Sequence, residues 1–132
     1  MFRRFFLAIA ATAVTATFLL GAQSRVLVAQ ETNMSVAELE QLLTGNTAEG
    51  VWDGVRYKSY FGPDGTTVYD PQDGDALTGK WRVNPDTGNF ESFWDAVGWT
   101  PYAVLQTDSG YAWVRGGELY PFDVIEGRNL VE

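Results

Sequence analysis

The segment that decides the fold is Val55–Asp70, which has the sequence VRYKSYFGPDGTTVYD. Apolar and polar side chains alternate over Val55–Phe61, the period of two that is typical of a strand with one buried face. Pro63-Asp64-Gly65 predicts a tight turn, because proline fixes φ and glycine accepts positive φ. Thr66–Asp70 is the returning strand. The stretch therefore predicts a β-hairpin.

Short strands separated by turns continue to the end of the chain. Five more are predicted, at Leu77–Val83, Phe90–Trp94, Trp99–Gln106, Tyr111–Arg115 and Leu119–Ile125. The connections between them are too short for the crossovers that parallel strands require. We therefore predict a mainly β fold, in which an antiparallel meander of seven strands forms a small barrel or half-barrel.

One α-helix is predicted ahead of the strands, at about residues 35–44. Ser35-Val-Ala-Glu38 is a capping box, and Gly45-Asn46 supplies the end of the helix. The apolar residues between them fall on one helical face: Val36, Leu39, Leu42 and Leu43. An isolated helix of roughly ten residues is unstable in water, so this face must pack on the rest of the protein.

The N-terminal segment, residues 1–29, has the features of a secretory signal peptide. Arg3 and Arg4 precede an uncharged apolar run of 17 residues, Phe5–Gly21, and small residues follow it. We expect cleavage after Ser24 or after Ala29, leaving a single β-rich domain at residues 30–132. The alternative is a retained membrane anchor, although ~20 apolar residues are needed to span a bilayer. The predicted location is the periplasm or the medium outside the cell.

Composition excludes several classes of function. From Glu31 onward the chain has 17 acidic and six basic residues, a formal net charge of −11, which argues against binding to nucleic acid. The chain contains neither cysteine nor histidine, which excludes disulfides, thiolate metal sites and histidine acid–base catalysis. We expect a monomer that needs no metal or cofactor and that binds no membrane once the signal is cleaved.

The acidic residues offer two weak candidates for chemistry. Asp70, Asp73 and Asp75 have the spacing D-x-x-D-x-D, which lacks the regular ladder of a calcium loop and favours a solvated turn. Glu91 and Asp95 are four residues apart, ~13 Å along a strand, too far for a pair of glycosidase carboxylates. We expect no catalysis. The alternative is a small carboxylate-dependent hydrolase of the cell envelope, with Asp95 as its candidate residue.

Aromatic side chains exceed what one buried face needs. The segment Trp99–Leu105 is apolar at both its odd and its even positions, and Phe93 faces the side of the sheet opposite to that of Trp94. We expect the helix to cover this second face. The alternative is an aromatic cleft or exposed patch that binds a small apolar or aromatic ligand or a protein partner. Its predicted contact residues are Trp94, Trp99 and Tyr102.

Four of the six basic residues in this part of the chain form a second candidate surface. Arg56 and Lys58 alternate with core residues, and so do Lys80 and Arg82. If Thr66–Asp70 lies between their strands, the four cations share one outer face within ~10 Å. The face is either solvated and balanced by cross-strand acids, or it contacts an acidic partner or an anionic envelope component.

A weak internal repeat links two of these segments. Trp52-Asp53-x-Val55-x-Tyr57-x-x-Tyr60 recurs later in the chain as Trp94-Asp95-x-Val97-x-Trp99-x-x-Tyr102. Each copy leads into a hairpin. Duplication of a hairpin unit and chance similarity between aromatic strands both account for it.

Three motifs occur in the order and spacing found in lipocalin-like proteins. Gly50-Val51-Trp52, Phe61-x-x-Asp64-Gly65-Thr66 and Gly79-Lys80-Trp81-Arg82-Val83 resemble the first half of a calycin-type β-barrel. Over residues 42–125 the chain resembles an uncharacterised family of small exported proteobacterial proteins. That narrower likeness rests on Leu43-Thr44-Gly45-Asn46-Thr47, Tyr60-Phe61, Asp64-Gly65-Thr66-Thr67 and Trp81-Arg82-Val83.

The resemblance implies export and a lipocalin-like barrel, but no known activity, substrate or cofactor. Some members of the family carry a cysteine pair near the positions of Glu91 and Pro101, which this chain lacks. Together with the missing catalytic equipment, this predicts an exported, non-catalytic binding or interaction module whose ligand or partner is unknown.

Overall fold

The structure is a computed structural model that describes residues 31–130. The predicted signal peptide and its two candidate cleavage sites lie outside these residues. Helix α1 spans Val36–Leu43. The strands are β1 (Thr32–Asn33), β2 (Thr47–Trp52), β3 (Val55–Phe61), β4 (Thr66–Pro71), β5 (Leu77–Val83), β6 (Phe90–Trp94), β7 (Gly98–Thr107), β8 (Gly110–Arg115) and β9 (Glu118–Ile125).

Strands β2 to β9 form a closed antiparallel barrel in which each strand pairs with its neighbour in sequence. Pairing of β2 with β9, through Thr47 opposite Ile125, closes the ring. β7 is the longest strand, and it pairs with β6 over its first half and with β8 over its second half. The two-residue β1 continues the β6 edge of β7, with Thr32 opposite Gln106. The predicted antiparallel β-barrel with one helix is confirmed.

The sequence prediction missed β2, the strand that closes the barrel. Its sequence, TAEGVW, includes Glu49 and Gly50, residue types that are depleted in strands. The glycine is required by packing, since a Cβ at Gly50 would lie 2.7 Å from the carbonyl oxygen of Pro121. We predicted seven strands, whereas the barrel has eight. The glycine that weakens the strand signal of β2 is needed for the close approach of β9, and the local sequence does not show this tertiary contact.

The helix has the predicted limits but covers a different part of the barrel. Ser35 and Glu38 form both hydrogen bonds of the capping box, and Gly45 has a φ of 78° after the helix ends. Leu39 and Leu43 are completely buried in the same apolar cluster as Val83 and Phe90. The amide of Gly45 bonds the carbonyl of Phe61 at 2.7 Å. The helix thus packs on the end of the barrel at which β3 stops. We had expected it to cover the second apolar face of Trp99–Leu105, but Trp99 on that face is 38% exposed.

The core lies inside the barrel next to the helix and consists mainly of aromatic rings. The rings of Trp113 and Phe122 stack with their centroids 4.1 Å apart, and those of Phe90 and Trp113 lie 4.8 Å apart. Trp81 faces inward, as the alternation predicts, and its indole nitrogen donates to the carbonyl of Gly62 at 2.9 Å. Within residues 31–130, no helix is long and apolar enough to cross a membrane.

Candidate functional site

The two ends of the barrel differ in what covers them. Loops 53–54, 72–76, 95–97 and 116–117 lie at one end, which we call the mouth. The helix connection, loops 62–65, 84–89 and 108–109 and the segment after β9 lie at the other end. At that end a hydrogen bond connects the segment after the helix with the segment after β9: the side-chain oxygen of Asn46 accepts from the amide of Gly127 at 3.0 Å. An interior space can therefore open to solvent at the mouth.

A cavity of about 320 Å³ lies inside the barrel, and its lining runs from strand ends at the mouth to strand ends near the helix. This volume is at the lower end of the range for small-molecule sites, ~300–1,000 Å³. Its walls hold eight aromatic rings, three hydroxyl side chains and one leucine. The lining residues are Trp52, Tyr57, Ser59, Phe61, Thr67, Tyr69, Leu77, Phe90, Ser92, Trp94, Tyr102 and Trp113. None of these described residues carries a formal charge at neutral pH.

Two buried aromatic residues of the lining, on strands that are not neighbours, meet across the interior of the barrel. The indole nitrogen of Trp113 donates a hydrogen bond of 2.9 Å to the hydroxyl oxygen of Tyr57. Burial raises the pKa of Tyr57 to about 12, although the bond from Trp113 acts in the opposite direction. The phenol is therefore neutral at ordinary pH, and its proton is available to a ligand.

The three smaller hydroxyl groups of the wall differ in their hydrogen bonding. Thr67 donates to the carbonyl of Tyr60 at 2.8 Å, and Ser92 accepts from the indole nitrogen of Trp94 at 3.2 Å. Ser59 is 8% exposed, and its hydroxyl makes no hydrogen bond to any other residue of the described chain. No side-chain polar atom of the described residues is both fully buried and unpaired, so the Ser59 hydroxyl reaches open space, where it offers an unused donor and acceptor to whatever enters the cavity.

The structure separates the three predicted aromatic contact residues. Trp94 and Tyr102 line the cavity. Trp99 lies on the outer wall, where it pairs with Phe93 across β6 and β7. These residues therefore do not form one patch, and only two of them contribute to the interior site.

A difference in loop length explains why Trp99 faces outward although Tyr57, its counterpart in the internal repeat, faces inward. In the first copy Trp52 pairs with Val55, which leaves two residues in the turn. In the second copy Trp94 pairs with Gly98, which leaves three. One extra residue moves every following side chain to the opposite face of the sheet.

Trp99 belongs to a small cluster on the outer wall. The guanidinium of Arg82 lies 3.8 Å from the centre of the Trp99 ring and also bonds the carboxylate of Glu91 at 2.6 Å. This hydrogen bond lowers the pKa of Glu91. The Lys80 ammonium lies 5.6 Å from the ring of Phe93. The cations thus cover the outer aromatic rings, which leaves Trp99 38% exposed.

The four predicted cations lie on the outer wall as two separate pairs. Lys58 is opposite Asp70 on β4, whereas Lys80 is opposite Thr66 on the same strand. These two β4 positions are about 13 Å apart along the strand. Arg56 precedes Lys58 on β3, and Arg82 follows Lys80 on β5. The four cations share the outer face because β4 lies between β3 and β5, and the stagger of the strands divides the expected stripe into two pairs.

The candidate acidic residues do not converge. Glu91 is on the outer wall, where it is opposite Pro101. Asp95 is exposed on loop 95–97 at the mouth, and Asp73 and Asp75 are exposed on loop 72–76. Among the described residues, no group of three or more acidic side chains is placed to hold a metal ion.

A scan of protein-family models and searches of curated proteins and of solved structures found no match to this chain. The site must therefore be interpreted from its own geometry. The closed antiparallel barrel agrees with the broad lipocalin-like resemblance, whereas no relative supports the narrower one.

Ten of the twelve wall residues were not among the predicted contact residues, Trp52 and Tyr69 among them. Trp52 lies near Tyr102 and Tyr120, with ring centroids 5.9 Å and 4.3 Å away, and Tyr69 stacks on Tyr57 at 5.6 Å. The repeated Trp-Asp pair was the available signal for Trp52, since it places Trp52 in the position that Trp94 has in the second copy. Tyr69 had no comparable signal.

Proposed function

We propose that the protein is a non-catalytic binding module that holds a small apolar or aromatic molecule inside its barrel. The observation that carries this proposal is the cavity of about 320 Å³, with its eight aromatic rings and its opening at the mouth. Transfer of apolar surface from water into such a space is favourable by about 25 cal/mol per Å². The barrel wall is a closed ladder of hydrogen bonds, so the site is preformed.

The polar groups of the wall support a ligand with a small number of hydrogen-bonding atoms. Tyr57 and Ser59 can each donate to an acceptor from neighbouring positions on β3. Both side chains are more than nine-tenths buried, where an unmatched polar group of the ligand would be penalised. The proposed ligand is therefore mostly apolar and meets these hydroxyls at one end.

The proposal includes export and the narrower family resemblance. The apolar pattern of residues 1–29 and the motifs of residues 42–125 support it. In that setting the protein would bind its ligand in the periplasm or outside the cell. A mass measurement of the mature protein tests this point, with a new N-terminus at residue 25 or 30 as the expected result.

A protein partner on the outer wall is the second candidate. It is favoured by the exposed ring of Trp99 beside Phe93, Lys80 and Arg82. The guanidinium of Arg82 already lies over the ring of Trp99 in the free protein, so a partner would have to displace that contact. The interior site has no such competitor among the described residues.

Binding of a neutral dye tests the proposed function. N-phenyl-1-naphthylamine is uncharged and fluoresces more strongly in an apolar site. We expect saturable binding to the wild type, strong weakening by Ser59→Leu, which fills the cavity, and no effect of Ser109→Leu at the opposite end of the barrel. Leu77→Trp at the mouth is a second blocking variant, with the outward-facing Leu119→Trp as its control.

Circular dichroism must show that each variant is folded. Failure of the wild type to bind the dye, or undiminished binding by both blocking variants, would contradict an interior site.

A further inference from the structure

We propose that the barrel prefers an organic cation, meaning an ammonium or quaternary ammonium group carried on an apolar body. This inference rests on the proposed function and names the chemical class of its ligand. It follows from three features of the barrel: the aromatic rings near the mouth, the carboxylates of the mouth loops and the charge distribution of the lining.

Aromatic rings approach the mouth from several sides. Trp52 ends β2 and Trp94 ends β6, and three strands separate these two in the barrel. Tyr69 on β4 lies between them and meets Trp94 edge-on at 6.4 Å. The face of an aromatic ring is electronegative and attracts a cation within about 6 Å of its centre, most strongly for tryptophan. A positive group at the mouth can therefore contact aromatic rings from several sides.

Carboxylates surround the same opening. Five exposed acidic residues lie on the mouth loops or at the strand end beside them: Asp53, Asp73, Asp75, Asp95 and Glu118. Burial raises the pKa of Tyr69, and the charges of Asp53 and Asp73 raise it further. The field of these carboxylates therefore reaches the wall of the cavity and favours positive charge there.

Among the described residues, Arg115 is the basic residue at the mouth, and its side chain already contacts an aromatic ring. It ends β8, and its guanidinium lies 5.9 Å from the centre of the Tyr102 ring. Arg56 is two residues from the mouth loop 53–54, but its side chain is on the outer wall, because it has the opposite parity to buried Tyr57. Burial raises the pKa of Tyr102, and Arg115 has the smaller and opposite effect on this pKa by its charge and by a hydrogen bond, so a cationic ligand must bind away from this corner of the mouth.

The lining discriminates against anions. The hydroxyls of Tyr57 and Ser59 are neutral donors, and no cationic side chain of the described residues lines the cavity. A buried anion without a cationic partner is strongly penalised. The net charge of −11 from Glu31 onward also repels anions during approach and attracts cations.

The repeated Trp-Asp pair places an aromatic ring and a carboxylate next to each other at two positions of the mouth. In each copy the tryptophan lines the cavity and the following aspartate is exposed on the mouth loop, at Trp52-Asp53 and at Trp94-Asp95. Because three strands separate the two copies, a ligand at the mouth meets a ring and a carboxylate from each side. Ser59 lies deeper and is left for the polar atoms of the ligand body.

Three probes of nearly the same shape and different charge test the preference. Benzyltrimethylammonium is the cation, neopentylbenzene its neutral isostere, and phenylmethanesulfonate the anion. Their dissociation constants are measured at low ionic strength from quenching of tryptophan fluorescence. We expect the cation to bind about tenfold more tightly than the neutral probe and the sulfonate not to bind.

The same three probes separate this inference from the proposed function. Equal affinity for the cation and the neutral probe, or a preference for the sulfonate, would contradict the cation preference and leave an interior apolar site standing. If none of the three binds while the neutral dye does, the preference is wrong and the proposed function stands. If the dye fails as well, both are wrong.

Variants of the mouth carboxylates test the origin of the preference. Asp53→Asn combined with Asp95→Asn should weaken the cation about threefold to tenfold and leave neopentylbenzene unchanged. Asparagine tolerates the positive φ of residue 53, which is 50°. The control combines Asp86→Asn with Asp108→Asn in loops at the opposite end, which changes the net charge equally.

Two results with these variants would overturn the inference. Equal weakening by the mouth pair and the control pair would show that the cation responds only to net charge. Unchanged binding of the cation to both Ser59→Leu and Leu77→Trp would place it outside the cavity.

Discussion

The indole Nε1–H of Trp113 on β8 donates a hydrogen bond of 2.9 Å to the phenol oxygen of Tyr57 on β3. β2 and β9 separate these two strands in the ring of the barrel, so the bond crosses the interior. Both side chains are 6% exposed. This contact joins two walls of the cavity, whose lining extends beyond it to Phe61 and Phe90 of the core.

Replacing Tyr57 by phenylalanine removes the acceptor for this bond. We expect Tyr57→Phe to lower the free energy of unfolding by about 1–3 kcal/mol, because the buried indole N–H of Trp113 is left without a partner. Chemical denaturation measures the loss. Tyr60→Phe, at an outward position of the same strand, is the matched control and should be close to neutral. Equal stability of Tyr57→Phe and the wild type would show that the bond does not form.

Stability should also decline at alkaline pH. Burial raises the pKa of Tyr57 to about 12, whereas tyrosine in an unfolded chain titrates near ~10. The folded protein holds this proton more tightly, so its contribution is complete below pH ~10 and is lost as the pH rises towards 12. Burial also raises the pKa values of Tyr69 and Tyr102, which add to the same decline.

Melting temperatures between pH 8 and 12 measure this decline. Tyr57→Phe should show a shallower decline than the wild type, and Tyr60→Phe the same decline as the wild type. Identical profiles for Tyr57→Phe and the wild type would contradict the assignment of a buried, neutral phenol.

The sequence predicted the elements whose signals are local. Alternation placed Trp81 inside the barrel, and the capping box placed the start of the helix at Ser35; both agree with the structure. β2 was missed because Gly50 has a low strand propensity and is needed only for the approach of Pro121 from β9. Closure of the barrel, and with it the cavity, depends on that strand.

The composition of the site was harder to predict for a related reason. Trp99 and Trp94 were expected on one surface, but the third residue of loop 95–97 shifts the parity of β7 and turns Trp99 outward. Which residue is paired across a turn is decided by the whole sheet. A cavity likewise depends on the size of the closed ring and not on any one motif.

Two tryptophans on opposite faces of the barrel wall should differ strongly when truncated. We expect Trp81→Ala to cost ~3–5 kcal/mol, because its ring is buried and its indole nitrogen is paired. Trp99→Ala should cost about 1 kcal/mol or less, since it loses mainly the exposed contact with Arg82. Denaturation curves of the two variants give the comparison. Similar losses for both would mean that the parity of β5 or β7 is wrong.

The outer ion pair should make stability depend on acid pH. The hydrogen bond from Arg82 lowers the pKa of Glu91, so the folded protein releases this proton more readily than the unfolded chain does. The contribution is present above the unfolded pKa of ~4.3 and is lost as the pH falls below it. Glu91→Gln should therefore lose less stability between pH 6 and 3 than the wild type.

The control for this variant is Glu40→Gln, an exposed position on the helix whose side chain makes no ion pair within the described residues. It should follow the wild-type profile in acid. A Glu91→Gln profile that matches the wild type throughout would show that the pair with Arg82 does not contribute.

The central claim, that a small molecule binds inside the barrel, is tested most directly by the five tryptophan indole N–H signals in a ¹⁵N-labelled sample titrated with N-phenyl-1-naphthylamine. Trp52, Trp94 and Trp113 line the cavity, whereas Trp81 lies in the core and Trp99 on the outer wall. We predict large shifts for the three cavity indoles and little change for Trp99. Shifts confined to Trp99, or no shift in any indole at saturating dye, would contradict an interior binding site.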